Sequence, residues 1–305
     1  MCGIVGLFLK DKTLEPQLGQ LLSDMLVTMT DRGPDSAGIA IYGSSGNGLS
    51  KITVQSADPE KDFAGLQTDL EKAGIKASVQ LKSTHAVITG DAADLGNIRE
   101  VLSSIRPGIR IMGSGESVEI YKEVGLPKDV VDRFSIRSMS GTHGIGHTRM
   151  ATESAVTTLG AHPFSTGSDQ CLVHNGSLSN HNNLRRELVR AGMRFETEND
   201  SEVAAAYLTA EMAAGKDLGE ALSSAIDDLD GFFTFVVGTK SGFGVLRDPI
   251  ACKPAVMAET DQYVAFGSEY RALVSLPGIE TARVWEPEPA TVYFWNRDES
   301  GAIAA

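Results

Sequence analysis

The sequence has only three cysteines, Cys2, Cys171 and Cys252, and no CxxC pair. That scarcity excludes a disulfide framework and a cysteine zinc site, and it points to a reducing cytoplasm. Basic residues are also in short supply: Lys+Arg 27 against Asp+Glu 40 leaves a formal net charge of −13. A phosphate backbone or an anionic membrane surface calls for the opposite balance, so nucleic acid and membrane are excluded as partners. No apolar run approaches the roughly 20 residues needed to cross a bilayer. The opening apolar stretch, Gly3 to Leu9, is short and has no basic residue before it, so it does not read as a secretory signal. What is present is an ordinary globular balance, 42% hydrophobic and 22% charged over 305 residues, enough to build a core in one large domain or two ordinary ones.

Along the chain, CGIVGLFL reads as a buried strand. Leu18, Leu21, Leu22, Met25 and Met29 share one face at 3.6-residue spacing and predict a helix. It stops before DRGPDSAG, which reads as a loop, and Gly38 to Tyr42 follow as a strand. Residues 53–138 have a different texture. Phe63, Leu66 and Leu70 predict a helix over Pro59 to Lys72, with Asp58 as cap and Pro59 in its first turn. Asp94 to Ile105 predicts a second helix, and strands are expected at His85–Thr89, Ile109–Met112 and Val118–Tyr121. GSGE at 113–116 lacks the rest of a dinucleotide fingerprint and reads as a turn. This stretch is expected to be a small inserted α/β module.

Beyond it, strands are expected at Gly144–Thr148 and Leu172–Gly176. Helices follow over Asn182–Ala191, from an Asp200 or Ser201 cap to Ala214, and from Leu218 to Leu229. Phe232 to Val237 is apolar on both faces, which predicts a central strand. Short strands at Gly244–Leu246, Tyr263–Phe266 and Thr291–Trp295 complete a layered α/β sandwich.

Position 2 has a chemistry of its own. If Met1 is removed, Cys2 carries a free α-amine; such an amine titrates near ~7.7–8 and a thiol near ~8.5, so the amine can serve as general base for its own side chain. On position alone, Cys2 reads as a small buried residue of the first strand. The rest of the chain overturns that reading. Cys2-Gly-Ile-Val-Gly6 is followed in order by Arg32-Gly-Pro-Asp-Ser-Ala-Gly38, Gly146-His-Thr-Arg-Met-Ala-Thr152, Ala161-His-Pro163, Val173-His-Asn-Gly176 and Glu198-Asn-Asp-Ser-Glu202. Leu229-Asp-Gly-Phe-Phe233 and Arg247-Asp-Pro249 come after them.

This series resembles the class II glutamine amidotransferases, the N-terminal-nucleophile glutaminase domains of amidophosphoribosyltransferase, glucosamine-6-phosphate synthase and glutamate synthase. The resemblance implies a four-layer αββα sandwich, here discontinuous over 2–52 and 139–305 with the module 53–138 inserted. It implies hydrolysis of the glutamine side-chain amide through a Cys2 glutamyl thioester, with Asn175 and Gly176 as oxyanion donors and Arg32 orienting the nucleophile. Arg149 matches the residue for the α-carboxylate of glutamine and Asp200 the residue for its α-ammonium, while Thr152 lines the same pocket. His162 and His174 fall in these motifs and read as hydrogen-bonded scaffold, and no metal site is expected.

Three departures shape the expected partner. Met150 stands where relatives usually place an aromatic residue, the insertion is long, and no synthase domain follows the glutaminase-like part. The expectation is a subunit of a hetero-oligomer that passes ammonia to a separate synthase. The departures are similar to the glutaminase-like subunits that accompany glutamate-synthase-like chains bearing FMN and an iron–sulfur cluster, as in N-methylglutamate synthase. This chain itself would carry no cofactor. A catalytically altered or silent subunit of that kind, or another N-terminal-nucleophile amidohydrolase, are the alternatives.

Overall fold

The computed structural model describes residues 2–43, 46, 48–151, 155–297 and, for the backbone alone, 302–304. The chain opens with β1 (Gly3–Leu9), whose alternation feeds two cores at once: Val5, Leu7 and Leu9 face one way, Ile4 and Phe8 the other. Helix α1 (Leu18–Thr28) follows the 3.6-residue stripe, with Leu18, Leu22, Met25 and Leu26 fully buried. A 3-10 turn at Thr30–Arg32 leads into β2 (Ser36–Tyr42), which starts inside the segment that reads as a loop.

A separate sheet comes next. It comprises β3 (Leu49–Gln55), α2 (Pro59–Asp62), α3 (Leu66–Lys72), β4 (Ala77–Lys82), β5 (His85–Asp91), α4 (Leu95–Ile105) and β6 (Arg110–Gly115). Its strands run antiparallel in the order β4-β5-β3-β6, a βαββαβ arrangement. Strands β3 and β4 were not expected; β4 alternates only between half-buried and exposed positions, so it lacks an apolar signature. The single helix expected over Pro59 to Lys72 is two pieces. Gly65 takes φ 71° between them, a left-handed conformation that interrupts a helix. Asp58 does cap the first piece, accepting from the Lys61 N–H.

Strand β7 (Val118–Val124) and helix α5 (Pro127–Arg133) return to the main body. β7 pairs with β2 along its whole length, from Ser36↔Val124 to Tyr42↔Val118, although the sequence places both β7 and α5 in the insertion at 53–138. The separate sheet itself runs from Leu49 to Gly115. The chain changes sheets at the turn after β6, and a buried carboxylate holds that turn. Asp169 accepts from the N–H groups of Glu116 at 2.7 Å, Ser117 at 2.8 Å and Val118 at 3.0 Å, and from the Ser117 hydroxyl at 2.8 Å. Asp169→Ala leaves those backbone donors without an acceptor, so a loss of about 3 kcal/mol or more in unfolding free energy is expected, read from urea denaturation.

The remaining elements are β8 (His143–Arg149), β9 (Phe164–Gly167), β10 (Gln170–Leu178), α6 (His181–Arg190), α7 (Asp200–Ala213) and α8 (Leu218–Asp228). After them come β11 (Gly231–Gly238), β12 (Gly242–Arg247), β13 (Val256–Glu259), β14 (Tyr263–Gly267), β15 (Arg283–Trp285), β16 (Thr291–Asn296) and β17 (Ala302–Ala304). A seven-stranded sheet of order β15-β13-β14-β1-β8-β2-β7 lies against a six-stranded sheet of order β17-β16-β12-β11-β10-β9. Ile4, Phe8 and Ile145 from the first meet Val173, Val236 and Phe243 from the second. Helices α1 and α5 cover the outer face of the first sheet, and α7 and α8 that of the second. The fold is the four-layer αββα sandwich. Among the described residues, no helix is long and apolar enough to cross a membrane.

Candidate active site

Strand pairing gathers the site. Because β1 and β8 are antiparallel, Gly3 lies opposite Thr148, and β2 places Ser36 opposite Arg149. Position 2, the turn at 32–35 and the end of β8 therefore collect at one end of the first sheet. Cys2 is half-buried there. Arg32, 8% exposed, donates through Nε to the Cys2 carbonyl at 2.9 Å and through Nη1 to Glu269 at 2.6 Å. That hydrogen bond from Arg32 is the main cause holding the Glu269 carboxyl below the usual range, with the nearby Arg271 adding to it. From the second sheet, the Asn175 side-chain amide also donates to the Cys2 carbonyl, at 3.3 Å. Two donors on one carbonyl anchor the backbone that carries the thiol.

Gly176 follows Asn175 with φ 152°, and a Cβ there would lie 2.0 Å from the Phe232 carbonyl oxygen and 2.9 Å from Nε2 of His174. Only glycine fits. A cleft of about 510 Å³ is lined by Cys2, Arg149, Asn175, Gly176 and Asp200 together. Arg32 stands behind Cys2 rather than in the lining, as its carbonyl contact shows, and Thr152 lies outside the described residues. Arg149 is 7% exposed and its Nη1 donates to the Ala155 carbonyl at 3.4 Å. Asp200 is the first residue of α7, and its Oδ2 accepts from the Leu178 N–H at 2.9 Å. The cap of α7 is neither Asp200 nor Ser201 but Asn199, whose side chain accepts from the Ser201 N–H at 2.9 Å. With Asn199 capping, the Asp200 carboxylate is directed to β10 and the cleft. A guanidinium and a carboxylate beside a thiol suit the two charges of a free amino acid.

A layer of histidines backs the cleft. The Ser201 hydroxyl lies 2.8 Å from Nε2 of His162 and 2.9 Å from Nδ1 of His174, and one hydroxyl proton cannot serve both, so at least one ring donates. His147 stacks on His162 with centroids 4.0 Å apart and donates from Nε2 to the His174 carbonyl. Burial pushes all three rings below the ordinary imidazole range, His147 to about 3, so they are neutral scaffold at pH 7. Among the described residues, no three His, Cys, Asp or Glu side chains gather as a metal set. Glu269 and Ser201 are contributions that motif reading does not assign. Glu269 is 237 positions from Arg32, and no local pattern marks it as a partner. Met150 lines the cleft and is 38% exposed.

Comparison with known proteins bears on this geometry. A family profile described as "Glutamine amidotransferase domain" matches residues 147–275. The "Glutamine amidotransferase-like protein GlxB" of Rhizobium meliloti is 78% identical over 300 residues, covering 98% of this chain and 100% of that protein. A "Putative glutamine amidotransferase" of Methanothermobacter thermautotrophicus is 35% identical over 306 residues, covering 96% of this chain and 98% of its own. Among solved structures, the glutamine phosphoribosylpyrophosphate amidotransferase of B. subtilis superposes with a TM-score of 0.64 at 18% identity. That match covers 100% of this chain and 49% of the other, a likeness of fold.

Proposed function

This chain belongs to the class II glutamine amidotransferase family, and on that footing we propose that it is an ammonia-donating glutaminase subunit that serves a separate synthase. The observation that carries the reading is the convergence of Cys2, Asn175, Gly176, Arg149 and Asp200 on one cleft. With Met1 removed, the α-amine of Cys2 takes the thiol proton and the sulfur attacks the side-chain carboxamide carbon of glutamine. The tetrahedral oxyanion receives hydrogen bonds from the Asn175 side-chain amide and the Gly176 N–H. The 3.3 Å bond from Asn175 to the Cys2 carbonyl is long, so its exchange for the oxyanion costs little. Collapse returns the proton to the leaving nitrogen and releases ammonia from the thioester. The same amine then deprotonates a water, which frees glutamate. Arg149 holds the α-carboxylate and Asp200 the α-ammonium.

The acceptor reaction is placed on a glutamate-synthase-like partner that holds FMN and an iron–sulfur cluster, of the N-methylglutamate synthase kind. Support comes from Met150, which lines the cleft with 38% of its surface exposed and gives its rim an apolar edge that a protein neighbour would cover.

Intact-mass analysis before and after treatment with an electrophilic glutamine analogue tests the chemistry. The expected result is loss of Met1 and one adduct, mapped to Cys2. Cys171 will not compete, because burial pushes its thiol up to about 12; exposed Cys252 is distinguished by peptide mapping. A retained Met1, which blocks the amine, overturns the mechanism. Cleavage of acylated amines but not of glutamine would instead identify another N-terminal-nucleophile amidohydrolase.

A further inference from the structure

We propose that Lys122 and Glu123, successive residues of β7, are positioning residues for the glutamine cleft, because together they hold the segment that forms one of its walls. The inference rests on the glutamine reading above. Residues 155–163 supply Ala155, Thr157, Gly160 and His162 to the cleft, yet this segment, between β8 and β9, belongs to no helix or strand. Side chains must therefore fix it. It crosses β7, an edge strand of the seven-stranded sheet, and successive side chains of a strand point to opposite faces.

Lys122 takes one face. It is 4% exposed, and its Nζ donates to the carbonyls of Ala161 at 2.8 Å, Leu159 at 3.2 Å and Pro163 at 3.2 Å, which uses all three ammonium protons. The ammonium also sits 4.6 Å from the centre of the Phe164 ring. Glu123 takes the other face, where one carboxylate oxygen accepts from the Thr158 hydroxyl and the other from the Thr84 hydroxyl at 2.8 Å. Thr84 lies in the turn between β4 and β5, so the same carboxylate ties the separate sheet to the cleft wall. Gly38 of β2 clears the path: a Cβ there would lie 2.0 Å from the His162 carbonyl oxygen. The wall is thus pinned at 158 on one face and at 159, 161 and 163 on the other, around Gly160 and His162.

A buried ammonium is costly to keep. Desolvation pulls Lys122 down to about 8 against the opposing pull of Glu202, and no carboxylate pairs with it among the described residues. An apolar side chain would fill the space at less cost, but it could not gather three carbonyls from a loop.

Alkylation of Cys2 in the full chain by an electrophilic glutamine analogue separates binding, KI, from bond formation, kinact. Lys122→Met is expected to raise KI about tenfold with kinact changed less than about threefold. Amide hydrogen exchange across 155–163 should speed up in parallel. Thr158→Val, a gentler change that keeps the test available if Lys122→Met does not fold, should raise KI in the same direction. Glu123→Ala should follow it, and Glu123→Gln, which retains an accepting oxygen, should recover most of the loss. A normally alkylated wild type with unchanged KI in Lys122→Met and Thr158→Val overturns the inference alone, as does a loss confined to kinact. A wild type that is not alkylated at Cys2 overturns the glutamine reading and the inference with it.

Discussion

Replacing Cys2 with alanine is expected to abolish glutamine hydrolysis, a loss of about a thousandfold or more in kcat, while the fold persists. The substitution removes only the sulfur from a half-buried residue that precedes β1. The contacts that anchor position 2, from Arg32 Nε and the Asn175 amide, go to its main-chain carbonyl and survive the change. The α-amine also survives, so the variant isolates the nucleophile from its base. The measurement is glutamate release at saturating glutamine, in the presence of any partner that the wild type requires, together with the thermal midpoint. Wild-type turnover in Cys2→Ala would move the nucleophile elsewhere and sink the proposed mechanism.

Mild acid is expected to unfold the protein. Five of the six histidines are held below the ordinary imidazole range, in each case chiefly by burial: His85, His143 and His147 to about 3, His162 well below its usual value, and His174 also downward. In the unfolded chain each takes up a proton near pH 6.5. Between that point and about 3 the unfolded state binds more protons than the folded one. The stability these groups confer is therefore complete above about pH 6.5 and is lost as the pH falls. At about 1.4 kcal/mol per proton and pH unit, His85, His143 and His147 alone account for roughly 6 kcal/mol at pH 5. That is comparable to the entire stability of an ordinary domain. Urea midpoints should fall steeply between pH 7.5 and 5.5; a flat profile would show that these rings can be charged in place. Three of the five back the glutamine cleft, so binding of the glutamine analogue should fail over the same range.

The candidate site was legible because its parts are short runs along the chain. Cys2, the Arg32 turn, Arg149, the Asn175-Gly176 pair and Asp200 each sit in a recognisable string, and each proves to lie at or directly behind the cleft, Thr152 falling outside the described residues. The supports were not legible. Glu269 pairs with Arg32 across 237 positions, and Lys122 meets carbonyls about 40 residues away; main-chain acceptors leave no trace in side-chain identity. Asn199 took the cap position from its two neighbours because Asn, Asp and Ser in a row compete for it, and only the direction of the backbone decides among them.

The same division holds for the fold. Local pattern by itself determined where β1, α1, α4 and β11 lie, since a continuous apolar run or a stripe at 3.6-residue spacing is written by near neighbours. The ordered motifs likewise singled out Cys2, because short runs of residues do not depend on which segments meet. Tertiary structure alone decided that β7 joins β2 rather than β6, that β4 is a strand at all, and that residues from both sheets meet at Cys2. Those outcomes depend on hydrogen bonds between segments far apart in the chain. Pairing partners compete on register and packing, which no local run of residues encodes.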